Sequence, residues 1–135
     1  MKALLQPLAD LAGYDDLCRQ LRKERGVIGV TGCLESQKAH LAAGLAQNFS
    51  VTLLIAENEL KARALFEDCR LYDPDALYFP RRDLIFYQAD ISGNLLTRQR
   101  MQVIKTISEK KQKRITIVTS TGGCTDLLQI GRAHV

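Results

Sequence analysis

Histidine occurs only twice in this chain, at His40 and His134. The four cysteines, Cys18, Cys33, Cys69 and Cys124, lie far apart and form no C-x-x-C pair. Residues so few and so scattered argue against a metal site, and the cysteines read as reduced, mostly buried thiols. No apolar run approaches the length needed to cross a bilayer, and the N-terminus lacks the pattern of a secretory signal. A cytoplasmic location without membrane contact is therefore expected. Internal repeats, low-complexity stretches and linkers are missing too. No Ser-His-Asp, Cys-His or paired-carboxylate constellation can be assembled, so no catalytic residue is assigned.

What is present is an ordinary globular composition. The 135 residues are 46% hydrophobic and 25% charged, enough for one modest domain with a real core. The net charge of +4 is spread along the chain rather than striped. Nucleic-acid binding is therefore only weakly indicated.

The stretch from Gly26 to His40 is the point of organisation. It reads as a short apolar strand (Val27 to Val30), a glycine-bearing loop and a helix capped at Ser36. This layout cradles phosphates in P-loop proteins, where loop N–H groups and a helix N-terminus face the anion. Gly32 and Lys38 keep the Walker A spacing. Gln37, however, stands where a second glycine should let the phosphate approach, and Ala39 where a hydroxyl should hold Mg²⁺. Gly29, Thr31, Gly32, Ser36, Gln37, Lys38 and Ala39 thus outline a vestigial phosphate loop, from which no cofactor binding is expected.

Around this loop the chain alternates. Residues 1–25 read as two helices, the first with an apolar face of Leu4, Leu5, Leu8 and Leu11. The second turns Leu17, Cys18 and Leu21 inward and ends in Arg22, Lys23 and Arg25. A helix over 36–48 offers a small-residue face of Ala39, Ala42, Ala43, Leu45 and Ala46. Val51 to Ile55 is a continuous apolar run, read as a strand buried on both faces. Asn58 caps a helix with Leu60, Ala64, Leu65 and Cys69 inward, and Ala76 to Phe79 is a third strand. Residues 80–94 read as a long loop. Asn94 caps a helix to about Lys111 with Leu96, Met101, Ile104 and Ile107 or Ser108 on one side, closed by a basic run through Arg114 that reads as a solvated helix end. Ile115 to Thr119 is a fourth strand, without the Asp-Glu of a Walker B strand. The order implies an α/β domain with a mostly parallel sheet of about four strands.

Several stretches resemble the N-terminal module of the bacterial transcription-repair coupling factors. They are Val30-Thr-Gly-Cys-Leu-Glu-Ser-Gln-Lys38, Glu67-Asp-Cys-Arg-Leu-Tyr72, Tyr78-Phe-Pro80, Asp83 to Asn94, Gly93 to Arg100 and Val118-Thr-Ser-Thr-Gly-Gly-Cys124. The resemblance covers nearly the whole chain in collinear order. It implies a truncated P-loop, RecA-like lobe similar to domain 1a of the helicase UvrB, with a worn loop that hydrolyses no ATP. It further implies a parent protein that binds stalled RNA polymerase and DNA, recruits UvrA, and works through an ATP- and Mg²⁺-dependent translocase. All of those regions would lie outside this chain, leaving residues 1–129 as a non-hydrolysing scaffold whose partners are the parent's other domains. Two other readings stay open beside it: a working P-loop NTPase or helicase lobe, and a basic nucleic-acid-binding module. Ile130-Gly-Arg-Ala-His-Val135 matches one reading frame of a common sequencing adaptor, so 130–135 is expected to be a non-native tail.

Overall fold

The computed structural model describes residues 2–23, 25–81, 89–109 and 114–125, without the side chains of Lys2 and 89–94. The expected tail at 130–135, the lysines of the basic run and residues 82–88 of the 80–94 loop lie outside these residues.

The amino-terminal segment folds as α1 (Lys2–Leu5), a 3₁₀ turn (Gln6–Asp10) and α2 (Tyr14–Lys23). Pro7 sits in the first positions of the 3₁₀ turn and removes a backbone donor, which breaks the single helix expected there. Leu8 alone of its leucines is fully buried, while Leu4 and Leu11 are exposed. Gly13 turns the chain with φ +86°. Asp15 and Asp16 then open α2, and Arg22 and Lys23 close it, each sign matching the helix dipole.

Then come α3 (Glu35–Ala46), β1 (Val51–Ala56), α4 (Glu59–Arg70), β2 (Leu77–Phe79), α5 (Ala89–Glu109) and β3 (Ile115–Ser120). The fold is α/β, a small three-stranded parallel sheet flanked by helices, in the order β1-β3-β2. The register sets Ile117 between Leu53 and Leu77, and Val118 between Leu54 and Tyr78. Alternation sends these two rows to opposite faces. On one face Leu54, Val118 and Tyr78 pack with Ala39 of α3 and Leu65, Phe66 and Cys69 of α4. On the other, Ile115, Ile117, Leu77 and Phe79 pack with Val103 and Ile104 of α5. The amino-terminal helices lie on α3, where a side chain at Gly44 would meet Leu8 Cδ1 at 2.4 Å and Tyr14 Oη at 2.7 Å.

Several sequence expectations are corrected. Val27 to Val30 forms no strand: the run is four residues long, interrupted by Gly29, and Val27 is fully exposed. The strand buried throughout is β3, because it is central, whereas β1 lies at the edge with alternate residues exposed. In α4 the inward stripe is Ala62, Leu65, Phe66 and Cys69, and Leu60 and Ala64 face solvent. The fifth helix begins at Ala89, so Asn94 lies inside it rather than at its N-cap position. Its buried side is built on Arg100 and Val103, leaving Met101 and Ile107 exposed. Arg100 lies over the Phe79 ring at 4.3 Å and donates to Pro80 O at 2.9 Å. Asn58 does cap α4 as its residue type predicts, its Oδ1 accepting from Lys61 N–H at 2.9 Å.

Candidate functional site

The seven residues expected to outline a phosphate loop fall into two groups. Gly29, Thr31 and Gly32 belong to an exposed irregular strap, and Gly32 takes φ +85°. A side chain built at Gly29 or Gly32 would meet nothing within 4 Å, so neither glycine is needed for a close approach inside the chain. Ser36, Gln37, Lys38 and Ala39 belong to the first turns of α3.

The helix begins one residue earlier than expected, with Leu34 at the cap and Ser36 inside the first turn. Leu34 has no side-chain acceptor, so the cap is made from the other direction. Gln37 Oε1 accepts from Leu34 N–H at 2.9 Å, the return half of a capping box. Gln37 is helical and carries no left-handed strain. Lys38 Nζ contacts Glu35 Oε1 at 2.5 Å, on the surface. That hydrogen bond, and then the lysine's charge, hold the Glu35 carboxyl below its ordinary range. Ala39 is fully buried among Cys69 and Val118. Lys38 is therefore engaged by its own helix, and a hydroxyl at position 39 would point into the core rather than toward a metal.

Between the strap, the amino-terminal helices and α3 lies an open cleft of about 750 Å³, lined by Leu8, Tyr14, Leu17, Ile28, Gln37 and His40 among others. His40 stacks on Tyr72 with ring centroids 4.9 Å apart. Its Nε2 lies 2.7 Å from Leu4 O, so that nitrogen carries the proton. Burial, followed by its contact with Cys18, pushes the Tyr14 phenol up to about 12.

A second cluster, missed by sequence reasoning, closes the carboxyl ends of the strands, where open α/β sheets bind ligands. Glu59, in the first turn of α4, accepts hydrogen bonds from Tyr78 Oη, from Ser120 Oγ and from Arg81 N–H at 3.0 Å. Ser120 Oγ in turn accepts from Gly123 N–H at 3.0 Å, and Thr119 Oγ1 donates to Phe79 O at 2.8 Å. Burial first, and the Glu59 bond second, push the Tyr78 phenol up to about 12. The crevice is filled by the protein's own carboxylate. Sequence gave no local sign of this: a glutamate in a helix's first turn is ordinary, and its partners lie 19 to 61 residues away.

The chain matches no family model, no curated protein and no solved structure. Among the described residues, no group of three or more His, Cys, Asp or Glu side chains could hold a metal ion. Among the same residues, no helix is long and apolar enough to cross a membrane. All four cysteines are free thiols, Cys18 and Cys69 buried and Cys33 and Cys124 half-buried.

Proposed function

We propose that this chain is part of the N-terminal, UvrB-like lobe of a transcription-repair coupling factor and serves there as a non-hydrolysing scaffold. On this reading the parallel sheet is the beginning of a P-loop, RecA-like domain in a cytoplasmic protein. The parent's contacts with RNA polymerase, DNA and UvrA, and its ATP-driven motor, belong to regions outside this chain. The collinear motifs from Val30 to Cys124 support the family. One observation carries the scaffold role: Gln37, Lys38 and Ala39 are each committed to the fold itself, as helix cap, surface ion pair and core residue. A phosphate arriving at the strap would find no free lysine and no metal-anchoring hydroxyl.

Two experiments test this. Sequencing the native gene beyond codon 129 should reveal a downstream motor with an intact Walker A loop and a Walker B Asp-Glu, in place of Ile130–Val135. A native gene that ends there would sink the family reading. Calorimetric titration with Mg-ATP should give no heat of binding at micromolar ligand, and tight binding would favour a working NTPase instead.

A further inference from the structure

The carboxyl ends of β2 and β3 meet at one carboxylate, and the donors around it are held by other parts of the fold. Ser120, 1% exposed, accepts from Gly123 N–H at 3.0 Å, so its own proton is directed to Glu59 Oε1. The backbone N–H of Arg81 meets the same oxygen at 3.0 Å, and the Tyr78 hydroxyl donates to Oε2. The Tyr78 ring is fixed against Phe66, with centroids 5.3 Å apart. Two cations flank the group. The Arg63 guanidinium lies beside the Tyr78 hydroxyl. The Arg81 side chain runs over Gly122, where an added Cβ would meet its Cδ at 2.6 Å. Converging donors with cations beside them are the surroundings of a bound anion.

We infer that this crevice is a carboxylate-binding site kept closed by Glu59 as an intramolecular ligand, and that its free occupant is a small monocarboxylate the size of acetate. The pattern of donors selects the class. Oε1 takes two of them and Oε2 takes one, which matches the two oxygens of a carboxylate. Among the described residues, no further donor is left for the third oxygen of a phosphate. The size follows from the tether. Cutting Glu59 back to alanine removes a methylene and a carboxylate, which are the heavy atoms of acetate. Ser120 beneath them is too enclosed to be reached by the main chain of another polypeptide. In the intact chain the tethered carboxylate is present at high effective concentration and keeps free anions out. The site opens only when the Glu59 side chain swings away. This inference does not rest on the proposed repair role, and its test involves neither Mg-ATP nor the native gene.

The test is urea unfolding at neutral pH in sodium acetate, sodium phosphate and sodium chloride at equal ionic strength. The quantity read is the gain of a variant over the unaltered chain in the same salt, which cancels general salt effects. For Glu59→Ala, acetate should raise the midpoint relative to chloride. Its folding constant should rise about tenfold once acetate exceeds its Kd tenfold. Glu59→Gln, which keeps the crevice occupied, should respond to acetate no more than the unaltered chain. Adding Tyr78→Phe to Glu59→Ala removes the donor to one oxygen but keeps the ring, and should weaken the acetate effect several-fold. If Glu59→Ala is unfolded in chloride, acetate should refold it, as read by circular dichroism. The inference is overturned if acetate neither stabilises nor refolds Glu59→Ala, or if Glu59→Gln gains as much. A gain from phosphate equal to that from acetate, or an acetate effect untouched by Tyr78→Phe, would overturn it as well.

Discussion

Glu59 Oε1 accepts from the backbone N–H of Arg81 at 3.0 Å, tying the first turn of α4 to the chain just beyond β2. The same carboxylate takes the hydroxyls of Tyr78 and Ser120, so one side chain joins three elements. Hydrogen bonds to a charged group contribute about 1.5–3 kcal/mol each when desolvated, and loss of the acceptor strands its donors. Glu59→Ala should therefore lower stability by about 2 kcal/mol, read as a lower urea midpoint. Glu59→Gln, which keeps an acceptor, should lose less. An unchanged midpoint for the alanine variant would show that the cluster holds nothing together.

Restoring the hydroxyl of a working phosphate loop should damage this protein. Ala39 is fully buried against Cys69 and Val118, so Ala39→Thr adds a β-branched polar group where there is no space. Overpacking of this kind costs about 1–3 kcal/mol. Thermal denaturation should show a clear fall in Tm and no gain from added Mg-ATP. A variant as stable as the parent, or one stabilised by Mg-ATP, would contradict this.

Two of the four tyrosines should titrate late. Tyr14 and Tyr78 are both pushed up to about 12, mainly by burial. Each native phenol keeps its proton more tightly than the unfolded chain, whose tyrosines titrate near 10. Their contribution to stability is thus complete below pH 10 and is lost as pH rises through about 12. Phenolate absorbance should show a component of two residues near pH 12, and Tyr78→Phe should remove one. A single transition near pH 10 for the folded protein would refute the assignment.

Cys69 should be the slowest thiol. It is 1% exposed, and burial, followed by the charges of Asp68 and Asp73, pushes its thiol up to about 11. At pH 8 only about a thousandth of it is thiolate, the reactive form. Labelling with a thiol reagent followed by mass spectrometry should modify Cys33 and Cys124 well before Cys69. Labelling of Cys69 at a comparable rate in the folded protein would mean that α4 opens readily.

Local signals accounted for the element order from α3 onward. Asn58 announced the start of α4 because an N-cap is a contact between residues three apart. The apolar runs at 51–55 and 115–119 became strands for the same kind of reason. The departures from the Walker A pattern at Gln37 and Ala39 were visible in the sequence alone. The place of Ala39 in the core was not, since that depends on α4 and β3 arriving beside it.

The sequence by itself determined an α/β chain with helices and strands in alternation, because periodicity, caps and residue identity act over a few neighbouring positions. Tertiary structure decided which strand is central. Val-Thr-Leu-Leu-Ile and Ile-Thr-Ile-Val-Thr are nearly equivalent as runs, yet the second enters between β1 and β2 and is buried throughout. The first is left at the edge with its apolar row exposed. Tertiary structure also left Val27 to Val30 outside the sheet and brought Glu59 to Tyr78 and Ser120. Strand pairing and hydrogen bonding across 19 to 61 residues depend on how the crossovers pack, which local pattern does not encode.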